Sequence, residues 1–246
     1  MAEAAHTHEH LENSLSEDGR RSQHLADAVL GATDGIITTF AVVAGAAGAY
    51  LSAGIVLIMG MANLVADGFS MAVGNYLGAR SQQDYWKRER ARETWEIEHL
   101  PEAEREEVRR LYRRKGFEGE TLERIVATIT SEEKRWVDEM MREELGIQEE
   151  RLAPFSSGLI TFAAFNLAGS LPLISYIIAF LNPALMPGPF PVSVAVTAIS
   201  LFGVGVARRF MTHRPWWESG LEILLVGGFA AACAFLAGYL LRGLAG

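Results

Sequence analysis

Cysteine is nearly absent from this chain of 246 residues: Cys233 is the only one, and it lies inside an apolar run. That excludes a disulfide framework and a cysteine-based zinc site. Basic charge is short as well, with 22 Lys and Arg against 30 Asp and Glu and a net charge of −8. A surface of that sign excludes nucleic acid as a partner, since phosphate binding needs basic groups. There is no glycine loop to cradle phosphate, as an ATP-driven pump needs, and no nucleophile with a base beside it, so the chain reads as something other than an enzyme. No basic region followed by an apolar core opens the chain, so no cleaved signal peptide is expected. Internal repeats and low-complexity tracts are also lacking.

Charge is scarce almost everywhere except in one block. Of the 52 charged residues, 36 fall between Arg80 and Arg151, 20 acidic and 16 basic, which leaves 16 for the other 174 positions. An ordinary soluble globule is excluded, because long uncharged stretches flank a polar centre in the manner of a membrane protein with a water-exposed insert. Five segments approach the ~20 apolar residues that a helix needs to cross the hydrocarbon core. They are Leu25–Tyr50, Ala53–Ala79, Phe155–Leu181, Pro191–Ala207 and Leu221–Leu241. The expected fold is an all-α polytopic membrane protein with five transmembrane helices and a three-helix insert between spans 2 and 3.

Lys and Arg set the orientation, because they accumulate in cytoplasmic loops. Arg20 and Arg21 precede the first span, Lys87 and Arg88 follow the second, and Arg208, Arg209 and Arg214 separate the fourth and fifth. The chain is therefore expected to have a cytoplasmic N-terminus and insert, with Arg242 the one dissenting charge. The short loops suit a bacterial inner membrane better than a vacuolar one. The expected organisation is a flexible cytoplasmic tail at 1–23, spans 1 and 2 at 24–79, a cytoplasmic helical domain at 80–151 and spans 3 to 5 at 152–246. Within the insert, helices are expected at Gln82–His99, from Pro101 to Lys115, and from Ser131 through Leu145, with Gly116 and Gly119 as breakers. Trp136, Val137, Met140, Met141 and Leu145 are few for a core, so the insert is expected to pack on a partner copy or on the membrane helices.

An ionisable side chain at the centre of a span costs at least ~2.5 kcal/mol, so each needs a reason. Asp34 in the first span and Asp67 in the second stand deepest. Asn63, Asp67, Met71 and Asn75 recur every four residues and so share one helical face. Carboxylate, amide oxygen and thioether together suit a divalent transition metal, and a carboxylate can also carry a proton. The bland alternative is that both acids hydrogen-bond neighbouring helices. Gly31, Gly35, Gly68 and Gly74 read as close-packing residues, although Asp34-Gly35 could also unwind the helix and bare carbonyls to an ion.

The insert repeats the theme. Glu93 and Glu96 lie three apart, Glu104 and Glu107 repeat that spacing, and Met140 and Glu144 share a face beside Met141. Taken alone, such pairs are solvated faces, and such methionines are core. His6, His8 and His10 alternate in the tail, either as a weak metal trap or as a tail without a defined site.

The stretches GATDGIITTFAVVAGAAGA (Gly31–Ala49) and DGFSMAVGNYLGARS (Asp67–Ser81), with the glutamate-rich insert, resemble the vacuolar iron transporter family. The resemblance covers nearly the whole chain from His24 onward. It implies ferrous-ion transport out of the cytoplasm with proton exchange, by a homodimer whose ion path lies between the two copies. It also implies a metal-binding insert whose ligands match here at Glu93, Glu96, Glu104, Glu107, Met140, Met141 and Glu144, and a path containing Asp34 and Met71. One departure stands out: the family's path has a glutamate where this chain has Asn63, and a small residue where it has Asp67. These positions are one turn apart, about 6 Å along the helix, so Asp67 is expected to replace that glutamate.

The expectation is thus a homodimeric transporter of Fe²⁺, extending to Mn²⁺ and other divalent ions, with ions, protons and lipid as its partners and no prosthetic group. Its rival is a membrane-anchored metal buffer or sensor, for which buried acids in the spans have no use. A third possibility is a transporter of another substrate whose insert serves only for dimerisation.

Overall fold

The computed structural model describes residues 2–146, 153–212 and 214–244, with side chains at 19, 21–146, 153–209 and 214–243. All its regular elements are helical: α1 (Ala2–Gly48), α2 (Ala53–His99), α3 (Pro101–Arg114), α4 (Gly119–Ile129), α5 (Glu133–Glu143), α6 (Pro154–Gly169), α7 (Ile174–Leu181), α8 (Pro189–Thr212) and α9 (Trp216–Leu241). Short 3₁₀ turns stand at Leu171–Leu173 and Arg242–Leu244. Five stretches are long and apolar enough to cross a membrane: Arg21–Gly48, Ala53–His99, Pro154–Leu181, Pro189–Arg209 and Trp216–Leu241. They coincide with the five expected spans to within a few residues, except that the second helix runs on past its apolar part.

The chain divides into two compact units. The first comprises 1–77 and 153–246, and the second comprises 78–152. In the first, α1 is the central helix. Phe40, Val43 and Ala44 on α1 join Val56 and Leu64 on α2, Phe165 on α6, Leu173, Tyr176 and Ala231 in one core. Glycines let the backbones meet. A Cβ at Gly31 or Gly35 would collide with the carbonyl oxygens of Thr161 and Phe165 on α6, and one at Gly48 would meet that of Phe235 on α9. Small residues at helix contacts are how membrane helices approach closely when lipid offers no hydrophobic drive. Gly68 likewise abuts Asn166, whereas a Cβ at Gly74 would meet open space. The packing role thus holds for three of the four glycines. Gly35→Val is expected to force α1 and α6 apart at a cost of about 1–3 kcal/mol. A lowered unfolding midpoint in detergent checks this, and an unchanged midpoint contradicts it.

Several expectations change here. The helix does not unwind at Asp34-Gly35; α1 is helical throughout. The third span is not one helix: it breaks after Gly169 into a 3₁₀ turn, because Pro172 has no N–H to offer the preceding turn. The insert has a larger apolar core of its own than the residues counted in the sequence. Leu122, Val126 and Ile129 of α4, a helix absent from the expectation, pack with Ile97, Val108, Trp136, Val137, Met140 and Met141. The expected helix at 82–99 is the second half of α2 rather than a separate element. The stretch read as a flexible tail is helical within α1, and the side chains of His6, His8 and His10 lie outside the described residues.

Gly116 explains how α3 ends. At φ +93° it follows the cap residue Lys115, and its N–H reaches the Arg113 carbonyl while that of Phe117 reaches Tyr112. The Tyr112 and Phe117 rings sit 6.0 Å apart beside this closure. This is a Schellman motif with its usual hydrophobic contact. Gly119 at φ +57° then opens α4 instead of merely breaking α3.

Candidate metal sites

Two sets of acids occupy the two units. In the insert, α2 carries Glu89, Glu93 and Glu96 at spacings of four and three, which places them on one helical face. Only Leu100 separates α2 from α3, and Pro101 fits the first turn of α3, where its missing N–H is no loss. Glu104 and Glu107 follow on α3, and Glu144 caps α5. Three of these meet: Glu93, Glu104 and Glu144 each present a carboxylate oxygen, all within 4.8 Å of one another. Oxygens bound to one divalent ion at about 2.0–2.6 Å stand within such a span.

Burial makes two of the three unlike a solvated face, while Glu144 is exposed at the rim. Glu93 is 1 % exposed and Glu104 7 %, and Oε2 of each has no hydrogen-bond partner. A buried carboxylate oxygen left bare is costly unless a cation or a proton arrives. Burial pushes Glu93 up to about 7, helped by the charges of Glu144, Glu104 and Glu96. Burial likewise lifts Glu104 to about 7, with Glu107, Glu96 and Glu144 adding to the effect. Glu144 is raised by burial and by Glu107. The five glutamates singled out by spacing therefore act on one another electrostatically. Met140 and Met141 are buried in the apolar core, 0 % and 2 % exposed, with Trp136 and Val137.

A pH dependence follows. Glu93 and Glu104 hold their protons more tightly folded than unfolded, so their contribution to stability is full below about 4.5 and is lost as pH rises through about 7. The metal-free chain should therefore unfold at a lower temperature at pH 8 than at pH 5.5, and Mn²⁺ added at pH 8 should restore the midpoint. Differential scanning measurements check this; a metal-free midpoint that climbs across this interval contradicts it. Glu123 and Glu143, lowered by Arg109 and Lys115, titrate below that window.

In the other unit, the stripe on α2 is tied at its ends and bare in its middle. Asn63 donates to Thr38 Oγ1 at 3.4 Å, and Thr38 donates to the Asp34 carbonyl at 2.9 Å. Asn75 donates to Asp27 Oδ1 at 2.8 Å and to Thr161 Oγ1 at 2.7 Å. Between them lie Asp67 and Met71, both half-buried. Asp34 and Asp67 are near enough to feel each other's charge. Among the described residues, neither carboxylate takes part in a hydrogen bond or ion pair, so the reading in which they fasten neighbouring helices has no contact to rest on.

Asp27 is the acid that spacing alone left out. It is buried, with Oδ2 unpartnered, and bridges α1 to α2 through Asn75. Its position seven residues before Asp34, on the same face of α1, was the available signal. Asn75→Ala removes its partner and should cost about 1–3 kcal/mol of stability, read as a fall in the unfolding midpoint that a surface substitution such as Gly74→Ala does not produce.

Apolar spans around an acid-bearing stripe, joined to an insert with an oxygen-rich, underneutralised cluster, define a polytopic membrane protein equipped to handle cations. The model of the VIT family matches residues 25–239. A vacuolar iron transporter of Toxoplasma gondii is 35% identical over 243 residues, spanning 96% of this chain and 79% of that protein. Vacuolar iron transporter 1 of Arabidopsis thaliana is 35% identical over 210 residues, covering 85% and 82%, and the protein from Centaurea cyanus is 32% identical over 239 residues, covering 96% and 95%. The chain belongs to the VIT family, a family of membrane transporters. These relatives are eukaryotic proteins with vacuolar names, which lends no support to a bacterial inner membrane.

Proposed function

We propose that the chain carries Fe²⁺, and with it Mn²⁺ and other divalent first-row ions, out of the cytoplasm in exchange for protons. The names of its relatives point to iron. The observation that carries the reading is the pair of buried, unpartnered carboxylate oxygens on Glu93 and Glu104, with Glu144 in reach to complete a shared ligand set. In this reading Glu93, Glu104 and Glu144 gather the ion, Glu96 and Glu107 supply further negative charge, and Asp67, Met71 and Asp34 pass it through the membrane. An all-oxygen set suits Fe²⁺ and Mn²⁺, while a thioether in the path favours softer ions, so discrimination rests on geometry and supply. In this reading the insert faces the cytoplasm, which the Lys and Arg of its flanks support. Two copies pair along α2, whose Ile58, Val65 and Phe69 are left uncovered in a single chain.

The carboxylates of Asp34 and Asp67 serve metal and proton in turn, which is what an exchanger requires. Sealed vesicles containing the protein and a pH-sensitive dye test it. Metal added on the insert side should enter and drive protons out, with both fluxes lost together in the absence of protein. Metal that binds without entering, and without moving protons, supports the buffer reading instead.

A further inference from the structure

The carboxylate cluster carries its own cation. Arg92, on α2, sets Nη1 3.2 Å from Glu89 Oε2, Nη2 3.6 Å from Glu93 Oε1 and Nε 3.6 Å from Glu96 Oε2. Its positive charge acts on Glu93, Glu104 and Glu144 alike. Of its three partners, Glu93 belongs to the converging trio, and Glu96 is a charge that acts on Glu93 and Glu104. The third, Glu89, does not belong to that ring: it is buried, and Arg88 grips it from its other side at 2.8 Å. The side chain of Arg92 is half exposed, so it is free to lean toward either.

We propose that Arg92 is a tethered counter-ion that stands in for the metal and sets how tightly the insert holds it. The inference rests on the reading that these glutamates gather metal. Without an ion, the guanidinium partly offsets a ring of acids that would otherwise repel one another. When a dication arrives, Arg92 is a like charge a few ångströms away and must lean back onto Glu89. Its field weakens the bound state, and its return helps expel the ion. A carrier that passes its cargo onward needs a collecting site that releases, and five carboxylates without this charge make a trap. Arg92 is thus a positioning and affinity-setting residue, not a ligand.

The test is Mn²⁺ binding to the purified full chain at pH 8, where protons do not take the guanidinium's place, by calorimetry for the parent, Arg92→Gln and Arg92→Lys. Arg92→Gln should bind at least about tenfold more tightly, since a repulsive charge has gone, and Arg92→Lys, which keeps the charge, should stay within about threefold of the parent. Raised salt should narrow the gap between parent and Arg92→Gln, as screening does for a half-exposed charge. A purely structural role moves neither the charge-dependent split nor its salt dependence. Unchanged or weaker binding by Arg92→Gln, with the parent still binding, overturns the inference alone, as does Arg92→Lys tightening as much as Arg92→Gln. A parent and an Arg92→Gln chain that both take up no Mn²⁺ refute the gathering role itself, and this inference with it.

Discussion

Asp34→Asn should abolish metal-ion uptake into proteoliposomes, a loss of at least about a hundredfold, while leaving the fold intact. The exchange is isosteric and removes only the charge. Because the Asp34 carboxylate has no hydrogen bond among the described residues, Asn strands no partner, and a loss of uptake cannot be assigned to unfolding. Asp67→Asn should fail in the same assay if Asp67 has taken over from the glutamate that the family places at Asn63. A double variant, Asp67→Asn with Asn63→Glu, then moves the acid back one turn, about 6 Å, along the same face and should recover uptake. If Asp67→Asn transports as well as the parent while Asp34→Asn does not, the replacement idea is abandoned. If both single variants transport normally, the two acids serve packing alone.

The second large effect belongs to the insert. Glu93→Gln with Glu104→Gln should lower the affinity of the full chain for Mn²⁺ by at least about a hundredfold, since two charged oxygen donors are lost from one ion. The same double variant should unfold at a higher temperature than the parent at pH 8 without metal. It removes two buried charges whose Oε2 atoms have no partner, and a bare buried charge is a burden to the fold. Affinity and stability thus move in opposite directions, a combination that a structural ion-pair network does not produce. An insert that serves only to join two copies predicts unchanged binding; a destabilised double variant implies hidden partners for these carboxylates.

Much of this was legible in the residues. The spans stand out because the hydrocarbon core demands uncharged runs, and no packing detail is needed to see them. The stripe Asn63, Asp67, Met71 and Asn75 is a matter of helical periodicity. The resemblance in Gly31–Ala49 and Asp67–Ser81 led to the family that the comparisons then showed. What the sequence withheld depends on tertiary packing. Helix α4 was hidden by reading Gly116 and Gly119 as breakers, although Leu122, Val126 and Ile129 carry the helical period; Gly119 begins the element rather than ending one. The break near Pro172 lay inside an apolar run that hydropathy treats as continuous. Spacing grouped the glutamates but could not rank them. Glu93 and Glu104 are buried, and Glu102 and Glu106 exposed, because α3 presents Glu104 and Val108 inward. Nothing in the spacing marked Arg92 among many arginines, since its role is set by three carboxylates brought around it.

The most direct measurement of the account is a structure of the full chain soaked with Mn²⁺ and recorded for anomalous scattering. A peak bounded by Glu93, Glu104 and Glu144 is expected, with a second beside Asp34 and Asp67. Peaks confined to other surfaces, with both sets of carboxylates empty at a metal concentration that supports uptake, would contradict it.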